Sequence, residues 1–497
     1  MNRHLLALIT VYLLLALAYS VLVPPWEAPD ESAHYLVVEH MAREGEMPSF
    51  ERSYEAVQPP GYYLLAGAVF RVVEGADSRL TQRRRPSLTP RSDYTRYGWT
   101  AQNYRFQWAM QILRWLNATL GAVALFFIFH AAQQLLEGAQ PRPSPGSASP
   151  SGGPSPLAVV ALVALTPQFL HNVTAVNNDA LANACGALLF WMLVDSAMRP
   201  PGPWRLGLGA LAATVLPFVV KLTVLPMSAA LLIVLGWRAW RTRRVLFLAI
   251  VAISIAVLSV AMMLAAPASA RFLLRTLWWR LTFIRPNITE GWSLAQILSY
   301  YGAGYWGQIG WKFAALPAWL WSSLWAGAFL GAVASLRLLL ASWRERRFWR
   351  WLFSVAALLT ASGMLAQAWG DWWQLRWVVP VAGWAILVLA WLRMRVQDVP
   401  RSLSVPGAAW RAVWLAAGLA FVVVTRNALT TPQFQARFLF PALGPIVVIT
   451  VVGWWILLPA VGKKWLTPAI LVAFVALNLF FWFDTVIPLF FQPLLDG

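Results

Sequence analysis

Apolar runs of about 20 residues recur along this sequence, and they limit its possible folds more than any other feature. Each run is long enough to cross a hydrocarbon core of about 30 Å. Inside lipid the backbone must satisfy its own hydrogen bonds, which helices do within a single segment. The runs lie at 5–23, 111–136, 157–176, 179–197, 206–221, 222–237, 245–266, 315–340, 351–368, 377–392, 411–426, 437–458 and 467–487. They predict an all-α polytopic membrane protein of about 13 transmembrane helices. Composition agrees, because only 12% of residues are charged, against about 25% in a soluble domain. The single cysteine, Cys185, excludes a disulfide framework and a cysteine-built metal site.

The first run, Leu5 to Val23, is followed by Pro24-Pro25-Trp26 rather than by a small-residue cleavage site. It therefore reads as a retained span with the N-terminus in the cytoplasm. The net charge of +19 does not indicate nucleic acid, because the cations gather in short loops between spans. Counting spans puts Arg238–Arg244, Trp343–Arg350, Arg393–Arg395 and Lys463-Lys464 on one side, which is the positive-inside pattern. The protein is thus expected in the cytoplasmic (inner) membrane, with residues 1–136 forming two spans around a long outer loop, 24–110. A Pro/Gly/Ser-rich linker follows at 137–156 on the cytoplasmic side. Residues 157–497 supply the rest of the bundle and a second outer loop near 267–314.

The first outer loop holds 11 of the 20 acidic residues, which marks it as the place for chemistry. Two helical patterns occur in it and suit amphipathic helices on the membrane surface. One starts near Asp30, with Ala33, Leu36, Val37, His40 and Met41 at helical spacing; the other follows Gln58-Pro59-Pro60. Asp30 and His34 share a helix face, and a carboxylate there can accept a hydroxyl proton or ligate a divalent metal. The same Asp30-Glu31 pair also suits the first turn of a helix, where acids favour the dipole. Asn177-Asn178-Asp179 opens a later span on the same side, and it too reads either as a cap or as a second acidic site. Lys221 interrupts two apolar runs, a position that is functional by default but also open to snorkelling. Arg437 opens the twelfth run, where a guanidinium can grip a phosphate with two bonds. Arg376 has Asp371 nearby as a structural partner. No phosphate-binding loop, dinucleotide fingerprint or His-x-x-x-His helix is present in the sequence.

Five motifs in order resemble the GT-C superfamily of polytopic, lipid-carrier-dependent glycosyltransferases, which includes bacterial relatives of the protein mannosyltransferases. They are Pro-x-x-x-x-Asp-Glu-x-x-His at 25–34 with Gln-Pro-Pro-Gly-Tyr-Tyr at 58–63, Thr166-Pro-Gln-Phe with Val176-Asn-Asn-Asp-Ala180, the Lys221 segment, Tyr305-Trp-Gly-Gln-Ile-Gly-Trp311, and Gln435-Ala-Arg-Phe-Leu-Phe-Pro441. The resemblance implies sugar transfer from a polyprenyl-phosphate donor to a glycan, lipid or protein acceptor at the extracytoplasmic face, with inversion. Asp30 would be the general base, Glu31 would assist it, and Asp179 would be the second acid. Lys221 and Arg437 would bind the lipid phosphate, and His34, Tyr62, Tyr63 and Asn178 would line the substrate site. A divalent metal, if one is used, would sit on Asp30 and Asp179. Gln58 in place of the usual His, and Ala436-Arg437-Phe438 in place of Gly-Arg-Tyr, leave the sugar open. A flippase for a lipid-linked saccharide, and a non-catalytic protein of the same fold, are the alternatives.

Overall fold

The computed structural model describes residues 2–72, 104–137, 153–199, 202–241, most of 249–260, 294–309, 314–341, 407–430 and 435–495. These residues form an almost wholly helical protein, and eight of their helices are long and apolar enough to cross a membrane. A bent pair brings the number to nine if it is counted as one span. The runs 351–368 and 377–392 lie outside the described residues, and 245–266 is described only in part. The run at 206–221 forms a shorter helix of 17 residues.

The chain begins with α1 (Arg3–Leu22), whose first turn is capped by the Asn2 side chain accepting from the His4 amide. Leu6, Leu13, Leu14, Leu17 and Val21 of α1 are exposed in the isolated chain. A stripe of that size in water is costly, and in lipid it is the natural outer surface. The loop helices are α2 (Glu31–Glu44) and α3 (Gly61–Val72), with one 3₁₀ turn, Tyr54–Val57, between them.

Then comes α4 (Tyr104–Glu137). Its 34 residues span about 50 Å at the α-helical rise, well beyond the hydrocarbon thickness. The excess gives α2 and α3 a wall to pack on. Phe106, Ala109, Met110 and Leu113 of α4 join Trp26, Tyr35, Val37 and Phe70 in a separate apolar cluster. The two loop helices are therefore folded onto α4 and onto each other. Their remaining apolar face, Leu64, Leu65 and Val72, stays exposed.

Past the linker come α5 (Pro156–Ala164) and α6 (Pro167–Val173), bent by 65° where one straight span was expected at 157–176. Pro167 explains the break, because the residue before a proline is driven out of the α region, and Thr166 is extended (φ −68°, ψ 120°). The bundle continues with α7 (Asp179–Met198), α8 (Pro203–Val219), α9 (Leu225–Arg241) and α10 (Leu294–Trp306). A two-residue antiparallel hairpin pairs Gln308 with Ala315 and Ile309 with Ala314. Then follow α11 (Ala318–Ala341), α12 (Gly407–Thr430), α13 (Leu443–Leu457), one turn α14 (Ala460–Lys463), α15 (Leu466–Phe481) and α16 (Ile487–Leu495). A π-helical turn, Trp482–Val486, joins the last two.

In the middle of the bundle, α7 packs on α4, α9, α12 and the 3₁₀ segment Ala436–Ala442. Gly186 makes this last approach possible, since a Cβ there would collide with the backbone of Pro441. Small residues at helix crossings let backbones come close where lipid supplies no hydrophobic drive between helices. The close approach carries Arg437 to the mouth of α7.

Candidate active site

Four residues far apart in sequence meet at one end of the bundle. Asp30 follows α1, Asp179 opens α7, Lys221 sits in the break between α8 and α9, and Arg437 precedes α13. Each lies where a span ends or begins. Charge is least costly there, and broken helix ends leave room for side chains.

Asp30 does not serve the helix that follows it. It is the N-cap residue of α2, yet its carboxylate makes no capping bond. Its backbone is left-handed (φ 66°), a conformation that Asp and Asn tolerate better than other side-chain-bearing residues. The carboxylate turns instead to Arg437, whose Nη2 donates to Oδ2 at 2.8 Å, and to the Tyr54 hydroxyl, which donates to Oδ1 at 2.8 Å. Burial alone would raise its pKa, but the Arg437 guanidinium, the nearby His34 and the two hydrogen bonds together hold it below the usual carboxylate range.

Asp179 is the buried counterpart. Lys221 donates to its Oδ1, Asn172 Nδ2 donates to Oδ2 at 3.2 Å, and Arg437 Nε lies 3.6 Å from Oδ2. Lys221 also donates to Asn178 Oδ1 at 2.7 Å. With only 10% of its side chain exposed, Lys221 points into this cluster rather than out to water. Asn178 makes no capping bond, but the Asn177 side chain accepts from the Asp179 amide at 3.0 Å, so Asn177 caps the helix while the Asp179 carboxylate joins the ionic cluster. Arg437 bridges the two carboxylates. Two anions and two cations leave the group with no net charge.

Glu31, next in sequence to Asp30, serves a different purpose. It is fully buried and held by Arg114 of α4 through two parallel bonds, Nε to Oε1 at 2.9 Å and Nη2 to Oε2 at 2.8 Å. The amides of Trp26 and Val176 donate to the same carboxylate. Arg114 also reaches the carbonyls of Ser20, Val23 and Pro24, and Asn117 donates to those of Ala175 and Asn177. This network ties the end of α1, the start of α2 and the loop before α7 to α4, and so sets Asp30 opposite Asp179. Arg114→Ala strands a buried charge and is expected to cost about 3–5 kcal/mol. Thermal unfolding in detergent checks this, and the double variant Glu31→Gln/Arg114→Met is expected to lose less than Arg114→Ala alone.

His34 is buried beside the ionic cluster, and among the described residues its side chain makes no hydrogen bond to it. Its Nδ1 lies 2.8 Å from the Tyr63 hydroxyl, and its Nε2 lies 3.8 Å from Glu55. Tyr62 and Tyr63 are fully buried and packed edge-on, with ring centroids 5.6 Å apart. These three residues support the loop; none touches Asp30 through its side chain. Burial keeps the His34 pKa below 6.5 despite the pull of Glu55. As pH falls below about 6.5, the unfolded chain takes up a proton that the fold refuses, so stability is complete above that value and declines below it. Melting temperature across pH 8 to 5 is expected to fall on the acid side, and His34→Gln should flatten that fall.

A small open cleft adjoins the ionic cluster. Its walls include Ala28 and Pro29 beside Asp30, Gln168, His171 and Asn172 from α6, and Gln435 with Arg437. The sequence reading missed Tyr54, Arg114 and His171, and it quoted Gln168 and Gln435 only as members of motifs, with no role of their own. Arg114 alone carried a signal, as a cation inside an apolar run. The two carboxylates do not suit a divalent ion, because each is already matched by a cation. Among the described residues no group of three or more His, Cys, Asp and Glu gathers to hold one. Arg376 and Asp371 lie outside the described residues.

Compared with protein-family models, with curated proteins and with solved structures, this chain matches none.

Proposed function

We propose that this chain is a membrane glycosyltransferase that moves a sugar from a polyprenyl-phosphate donor to an acceptor hydroxyl at the outer face of the membrane. One observation carries the reading: two carboxylates and two cations from four distant segments converge beside a cavity with several polar side chains in its wall, at one end of an apolar bundle. A bundle built only to be stable gains little from such a cluster, since buried ion pairs seldom improve on apolar packing.

Arg437 and Lys221 bind the donor phosphate, which exchanges part of their pairing with Asp30 and Asp179 for its own oxygens. Asp30, relieved of its guanidinium, becomes a stronger base and accepts the proton of the acceptor hydroxyl. The hydroxyl oxygen attacks the anomeric carbon from the face opposite the phosphate. The bond from that carbon to the phosphate oxygen breaks, and its electron pair stays on the phosphate. Lys221 and Arg437 stabilise the charge that accumulates there. Glu31 and Arg114 hold Asp30 in place without touching substrate.

Direct displacement inverts the anomeric centre. NMR of the product from a donor of known configuration is expected to show the opposite anomer. Retention, or no glycoside product at all, overturns the proposal.

A further inference from the structure

The wall chemistry of the cavity narrows the kind of sugar, and this step rests on the glycosyl-transfer reading. Its polar side chains are almost all neutral. Gln168, His171, Asn172, Asn177, Gln308 and Gln435 line it, Arg437 supplies the one charge, and among the described residues no carboxylate forms part of the wall.

Several of these groups are already committed. Asn172 and Asn177 hold each other and Asp179, and Gln435 Oε1 accepts from Arg437. Others keep free capacity. The Gln168 carbonyl accepts from the Gln308 amide, and among the described residues its Nε2 has no partner. His171 is 3% exposed and lines the cavity, and no hydrogen bond among the described residues engages its ring. Arg437 spends Nη2 on Asp30 and Nε on Gln435, which leaves Nη1. An amide donor, an imidazole able to donate and accept, and a guanidinium N–H suit hydroxyl groups. Without a carboxylate in the wall, a sugar bearing an ammonium gains no partner there and faces Arg437.

We propose that this cavity binds an uncharged sugar ring, held by Gln168 and His171, next to the phosphate held by Arg437. The ring is that of the donor or that of a glycan acceptor; the chemistry is the same for both.

The test measures binding to the full-length protein in nanodiscs. The probes are bare polyprenyl phosphate, the same lipid carrying a neutral hexose, the same lipid carrying an amino sugar, and a lipid-free methyl hexoside. In the wild type the hexose is expected to tighten binding about tenfold over the bare lipid, equivalent to about 1.4 kcal/mol, and the amino sugar is not. Gln168→Leu and His171→Phe should each remove that increment while keeping the affinity for the bare lipid, which also shows that the variant is folded. If the methyl hexoside loses its binding in these variants while the donor keeps its increment, the cavity holds the acceptor's ring. The proposal is overturned if the amino sugar binds as well as the hexose, or if both variants leave every sugar-dependent affinity unchanged. Neutral-sugar binding without transfer would instead count against the glycosyltransferase reading and leave the cavity assignment standing.

Discussion

Asp30→Asn is expected to lower the transfer rate by roughly 10²–10⁴-fold, the usual contribution of a positioned general base. The substitution isolates charge from shape. Asparagine tolerates the left-handed backbone at φ 66°, and its side-chain oxygen can still accept from Tyr54. Alanine would combine loss of the base with strain in the backbone. Arg437 keeps Asp179 as a partner, so the expected loss of stability is only about 1–2 kcal/mol. Donor affinity should hold or improve, since an anion has been removed beside a phosphate site. A variant that is folded, binds donor and turns over at the wild-type rate would remove Asp30 from the role of base.

Arg437→Ala should act on binding. It deletes the group that bridges both carboxylates, and the cluster passes from no net charge to one negative charge. An anionic donor then meets Asp30 without its guanidinium, while Asp179 keeps Lys221. Truncating one partner of a buried, hydrogen-bonded charge pair costs about 2–5 kcal/mol, so donor Kd is expected to rise by roughly 10²–10³-fold. Arg437→Lys keeps the charge but loses the two-pronged geometry, and should fall between. Donor affinity measured in nanodiscs decides this. An unchanged Kd for Arg437→Ala would place the phosphate elsewhere.

The residues legible in the sequence were those whose charge is costly in an apolar chain. Asp30, Asp179, Lys221 and Arg437 stood out at the ends of runs, and the fold gathers them across as many as 407 residues of separation. Glu31 shows where adjacency misleads. Asp30 holds a left-handed backbone just before the helix that Glu31 opens, so Asp30 faces Arg437 while its neighbour is buried against Arg114. Tyr54 carries no charge and sits in no motif, and only its hydrogen bond to Asp30 in three dimensions marks it. The bend between α5 and α6 was signalled by Thr166-Pro167, yet hydropathy averages across a kink. The two loop helices pack on the extension of α4, a length that the apolar run starting at 111 did not reveal.

The most direct measurement is label transfer by the wild-type protein in nanodiscs, from a panel of radiolabelled polyprenyl-phosphate sugars to acceptors in a membrane extract, with and without a chelator. The account requires label to pass from one such donor to an acceptor, at a rate the chelator does not change, because the two carboxylates already have their cations. A donor that is bound tightly and carried across the membrane intact would contradict it in favour of a flippase. Transfer abolished by the chelator would contradict the assignment of the phosphate's counter-charge to Lys221 and Arg437 rather than to a metal.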